Sequence, residues 1–163
     1  MSFLYRVILQ LSSKNDFTLL ASTFFNESVA NIEEAIQSIT TTTVTALKFQ
    51  CFHNKRIDEI FRIGKECSTL QFANIFNSDL AIVEKGRGIN SEIFGVNLVH
   101  AVDEIAAKSK AKTKTVSFLM TAITPAILSV LHQIGAEKNY TKQELCKHLQ
   151  KLDLTNETEP LLT

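Results

Sequence analysis

Apolar residues recur along this chain at helical intervals, and strand-like alternation is scarce. Val29, Ile32, Ile36, Ile39, Thr43 and Leu47 form one stripe, with Glu33, Glu34, Gln37, Ser38, Thr41 and Thr45 on the other side. That pattern predicts a long amphipathic helix from about Ser28 to Phe52. The β-branched run Thr40 to Thr43 opposes it, costing roughly 2 kcal/mol against alanine. The stripe nevertheless stays in register through the run, so the helix stands.

Ile57, Ile60, Phe61 and Cys67 predict a shorter helix, interrupted near Gly64. Leu70 to Val83 reads as one or two short helices. Lys85-Gly86-Arg87-Gly88 then reads as a flexible connection, because two glycines in four residues resist a regular element. Leu98, Val99, Val102, Ile105 and Ala106 mark a helix that stops near Ser109. The next, about Thr113 to Ile134, is apolar on nearly every face, which belongs at the centre of a domain. Gly135 stands where a left-handed cap is expected. Thr141 with Glu144 makes a capping box that opens a last helix carrying Leu145, Leu149 and Leu152.

These elements predict an all-α, multihelical single domain over residues 1–154, with a loose tail over 155–163. A shift of 84 positions lays Ala35–Leu47 over Leu119–Leu131, with Ile39, Thr40 and Leu47 meeting Ile123, Thr124 and Leu131. Each stretch follows a shorter helix and a small polar turn. The domain therefore reads as two related helical hairpins, in halves of about 1–84 and 89–152, around the buried helix 113–134. Pro125 lies inside that helix and leaves the Thr121 carbonyl without its amide partner. The resulting kink either lets the helix curve round its neighbours or opens a small ligand pocket.

The stretches Leu20–Ile36 and Ile93–Ile105, the latter followed by Leu119–Leu131, resemble the YidB-like bacterial domain of unknown function. That family shows a short Phe-Gly turn, a helix, a Ser-rich turn and a helix in which proline precedes two spaced leucines. Phe94-Gly95 and Pro125, Leu128 and Leu131 stand in those places here. The resemblance spans about residues 17–149 and implies a multihelical fold, a bacterial source and no established activity. The chain departs from the pattern at Thr41–Thr45, where the family usually carries Pro and Gly.

The chain of 163 residues is long enough for one core, and 45% of it is hydrophobic. Seventeen basic residues balance seventeen acidic ones, so no global field draws in nucleic acid or an anionic membrane. Thr115 to Ala136 carries no charge and has the length of a bilayer span, yet its Ser, Thr, His, Gln and Pro content favours a buried helix over membrane insertion. The N-terminal apolar run is too short and mixed for a signal peptide. Cys51, Cys67 and Cys146 are odd in number and scattered, which suggests reduced thiols and a cytoplasmic setting.

Cys51 with His53 and Cys146 with His148 resemble two metal-ligand pairs. Residues two apart on a helix point to different faces, so no metal or other cofactor is expected. His100 with Asp103 and Glu104 is half of a general-base arrangement, but no nucleophile motif accompanies it, so no catalytic residue is assigned and a hydrolase ranks third among the readings. Lys108, Lys110, Lys112 and Lys114 converge on a helix start where an anion could sit, although a solvated turn is the simpler reading. Eleven phenylalanines are many for this length, and Phe49 and Phe52 lie off the main stripe, as residues at a protein contact would. The expected function is therefore a non-catalytic domain acting through a protein partner or self-association. The alternative is a module that binds a small apolar or anionic ligand, near Thr121 and Pro125 or at the four lysines.

Overall fold

The computed structural model describes residues 2–12 and 16–154. It is all-α: α1 (Phe3–Leu11), α2 (Phe17–Phe25), α3 (Val29–Gln50), α4 (Asn54–Cys67), α5 (Leu80–Phe94), α6 (Leu98–Ser109), α7 (Thr113–Lys138) and α8 (Lys142–Lys151). Short 3-10 turns at Phe72–Asn77 and Gly95–Asn97 join α4 to α5 and α5 to α6, and no strand occurs among the described residues. The tail expected to be loose lies outside the described residues.

Five of the described helices, α1, α2, α3, α5 and α8, begin at a side chain that caps them. Ser28 accepts from the Asn31 amide and starts α3, and Asp16 does the same for α2 through the amides of Thr18 and Leu19. Thr141 and Glu144 form both hydrogen bonds of the capping box at α8. The β-branched run stays helical inside α3. Thr40 and Thr43 are fully buried there, and the Thr40 hydroxyl donates to the Ile36 carbonyl one turn back.

Helix α7 is the centre. Every residue from Leu119 to Leu131 is buried, and α4, α5, α3, α1, α6 and α8 all pack on it. It is the only described helix long and apolar enough to cross a membrane, and 83% of its most apolar window is covered by the rest of the chain. The turns before α3 and α7 fall 84 positions apart and share a shape. Asn26 and Lys110 are both left-handed, and Ser28 and Lys112 both occupy the extended cap position. They lie side by side: the Lys112 amide donates to the Glu27 carboxylate at 3.2 and 3.4 Å.

Four expectations are corrected by the packing. Residues 85–88 are not a connection but the middle of α5, which runs across the expected boundary between the two halves. Helix α4 passes through Gly64 without a break, and α7 passes through Gly135 to a left-handed cap at Asn139. The reason is tertiary at two of these glycines. A Cβ on Gly86 would lie 2.0 Å from the Thr121 oxygen, and one on Gly64 would lie 2.6 Å from the Leu128 oxygen. Both helices press their backbones onto α7 where only a hydrogen fits. The fourth correction concerns Cys51 and Cys146, which form a disulfide, while Cys67 is free and buried. That bond removes the argument from unpaired thiols to a reducing compartment.

The disulfide belongs to a clasp between the end of α3 and α8. Lys48 donates to the Leu152 carbonyl at 2.6 Å, and Gln150 donates to the Lys48 carbonyl at 2.9 Å. Elsewhere Arg6 grips Glu137 through two hydrogen bonds and ties α1 to the end of α7.

Candidate functional site: an exposed apolar groove between α3 and α6

Four of the exposed large apolar side chains, Phe49, Phe52, Val96 and Val99, lie in or next to the segments that line one groove. The outer side of α3 near its C-terminus, the end of α5 and the start of α6 enclose an open groove of about 580 Å³. Its walls include Ala46, Phe49, Ile93, Phe94, Val96 and Ala101. Phe49 is 68% exposed and Val96 98% exposed, and the neighbouring Val99 and Phe52 are exposed as well. Leaving such side chains in water forgoes about 1.5–3 kcal/mol each. The local chain explains the exposure. Phe49 lies off the buried stripe of α3, and Gly95 takes φ of +55°, turning the chain so that Val96 points outward.

The rim carries both signs. Arg56 lies 3.9 Å from Glu92, and the His100 imidazole is 3.1 Å from Glu104 one turn along α6. Both pairs are largely solvated, and such pairs contribute at most about 1 kcal/mol. At the foot of the groove Gln50 donates to the Ile93 carbonyl, fixing α3 against α5.

His100 thus meets Thr42, Thr45 and Glu104 in a crevice that holds no Ser or Cys. The Thr45 hydroxyl already donates to the Thr41 carbonyl. The Cys-x-His pairs do not assemble into a metal site, because their sulfurs bond to each other, and no cluster of three metal-ligating side chains occurs among the described residues. His148 instead packs its ring 5.9 Å from Tyr140, and burial, then the charges of Lys138, Arg6 and Lys151, holds its pKa below the ordinary imidazole range.

Pro125 is fully enclosed, and the carbonyl it frees on Thr121 faces Gly86 rather than a cavity. The Thr121 hydroxyl donates to the Phe118 carbonyl. One turn along α5, Asn90 donates to the Met120 carbonyl at 3.1 Å. Helix α5 therefore fills the space that a ligand near the kink would need. The four lysines are all exposed and diverge. Lys108 borders a hollow with Thr41 and Glu104, whereas Lys114 lines a different one with Arg87 and Phe118. The amide of Lys112 is already taken by Glu27.

Phe49 and Phe52 were visible in the sequence as off-stripe aromatics. Val96 was not, although a valine after Phe94-Gly95 is the signal that marks it, and Val99, which counts among the apolar residues that mark α6, lies exposed instead. Compared with protein-family models, curated proteins and solved structures, the chain gives no significant match.

Proposed function

We propose that this chain is a non-catalytic helical domain that acts through protein contact, and that the groove between α3 and α6 joins two copies of it. The observation that carries this reading is the exposure of Phe49 and Val96 on facing walls of one groove. A contiguous apolar patch rimmed by polar groups is the usual signature of a contact surface.

A second copy fits better than a partner of one charge. An isologous contact places each residue against a different residue of the same patch, so a self-complementary face needs both signs. The lining supplies both: Arg56, and the carboxylates of Glu92 and Glu104. The chain's net charge of zero adds no long-range repulsion to that approach. The resemblance to YidB-like domains belongs to this reading as a proposal about family, and it brings no activity that competes with it.

Sedimentation equilibrium tests the proposal. The chain is expected to dimerise with concentration, and Phe49→Glu or Val96→Asp to restore the monomer without change in helical content. A wild-type chain that stays monomeric up to about 1 mM, where association worth only about 4 kcal/mol would register, overturns it.

A further inference from the structure

We infer a second site, between the end of α2, the middle of α5 and the start of α7, that binds a small planar aromatic anion such as an aryl carboxylate. Four rings contributed by three segments meet there: Phe24 and Phe25 from α2, Phe76 from the first 3-10 turn, and Phe118 from α7. Phe24 stacks on Phe118 with centroids 5.7 Å apart and planes 15° from parallel. It also meets Phe25 edge-on at 4.9 Å and Phe76 at 5.3 Å. Phe25, Phe76 and Phe118 are half-buried, and Phe24 remains 52% exposed.

Beside this wall lies a hollow of about 470 Å³, lined by Phe24, Phe25, Arg87, Lys114, Ser117 and Phe118. That is the size of an ordinary small-molecule pocket. Two cations face it and no carboxylate lines it. Arg87 takes part in no ion pair among the described residues, whereas Arg6, Arg56 and Arg62 all do, and Lys114, like most of the lysines, has none either. A chain of zero net charge thus presents a locally positive pocket at an aromatic wall. Stacking selects a flat ring, and a guanidinium with an ammonium selects a carboxylate, sulfonate or phosphate on it. The Ser117 hydroxyl adds a donor at the same rim. Arg87 is held there because its neighbour Gly86 brings α5 against Thr121, one turn beyond Phe118.

The site does not depend on self-association, since it shares no residue with the groove between α3 and α6. The test uses three probes followed by amide chemical shifts: 2-naphthoate, with ring and charge; 2-naphthol, with the ring alone; and acetate, with the charge alone. Naphthoate is expected to saturate and to shift the amides of Arg87, Lys114, Ser117 and Phe118, while the other two bind at least roughly tenfold more weakly. Arg87→Gln, Lys114→Gln and Phe24→Ala each alter an exposed side chain, and each should weaken naphthoate about tenfold. Lys108→Gln and Phe49→Glu should leave it unchanged, the latter separating this site from the dimer contact. The inference is overturned if naphthoate fails to saturate, if naphthol binds equally well, or if Arg87→Gln and Lys114→Gln bind like the wild type.

Discussion

Replacing Gly86 with alanine adds one methyl group where the structure leaves room only for hydrogen. The new Cβ would stand 2.0 Å from the Thr121 oxygen and 2.5 Å from its Cα. These are backbone atoms of the most buried helix, so no side chain can swing aside. Overpacking of this kind costs about 1–3 kcal/mol, and a clash with three main-chain atoms of Thr121 places it at the upper end. Helix propensity works the other way, since alanine is better than glycine by about 1 kcal/mol. The net expectation is a loss of about 2 kcal/mol, or a melting temperature lower by roughly 4–8 °C for a chain of this size. Gly88 is the internal control. It lies two residues on in the same helix, and nothing stands within 4 Å of its added Cβ. Gly88→Ala should therefore keep the propensity term and gain about 0.5–1 kcal/mol. Gly64→Ala, at 2.6 Å from the Leu128 oxygen, should fall between them. Urea unfolding followed by circular dichroism gives all three at once. If Gly86→Ala proves as stable as Gly88→Ala, the close approach of α5 to α7 is wrong.

The pairing of cysteines is checked by counting thiols: in denaturant without reductant only Cys67 should react, and after reduction all three. In the folded chain Cys67 should be inert, because burial pushes its thiol up to about 11 against the opposing charge of Lys85. Reducing the Cys51–Cys146 bond releases a link across 95 residues and should cost up to about 4.7 kcal/mol by the loop-entropy argument. A melting temperature unmoved by reductant would count against the clasp between α3 and α8. His148 gives a pH dependence whose sign follows from its lowered pKa. The unfolded chain takes up that proton at higher pH than the folded chain, so stability is full above about pH 6.5. It falls as pH drops through that value, and the loss is complete below the folded pKa. His148→Gln should flatten this slope in urea titrations at successive pH values, and an unchanged slope would refute the assignment.

Much of the helical frame could be read from spacing and caps. Ser28, the Thr141–Glu144 box and the all-round apolarity of 113–134 each depend on residues close in sequence, and each lands where expected. The run Thr40–Thr43 shows register prevailing over propensity, because burial of the stripe outweighs a local cost. Gly64 and Gly86 were misread because the meaning of a glycine there lies in a distant backbone, at Leu128 and Thr121. The same holds for Cys51 and Cys146, which look like separate Cys-x-His pairs along the chain although each is the other's partner. At the sites, Phe49 stood out by its phase on α3, while Arg87 was hidden inside a stretch taken for a loop.

The seating of Gly86 on the carbonyl freed by Pro125 also limits how α5 can move. A glycine contact of this depth works at one axial position only. Sliding α5 by a turn in one direction would drive Ile82 onto that oxygen, and in the other direction Asn90. Asn90 adds a second stop through the Met120 carbonyl. The helix is thus indexed along α7 like a tooth in a notch, and side chains elsewhere on α5 can vary without changing its reach. One consequence is that the span between Arg87 and Phe118 is set by main chain rather than by packing volume, so that side of the aromatic pocket keeps its dimensions even if the surrounding core is repacked.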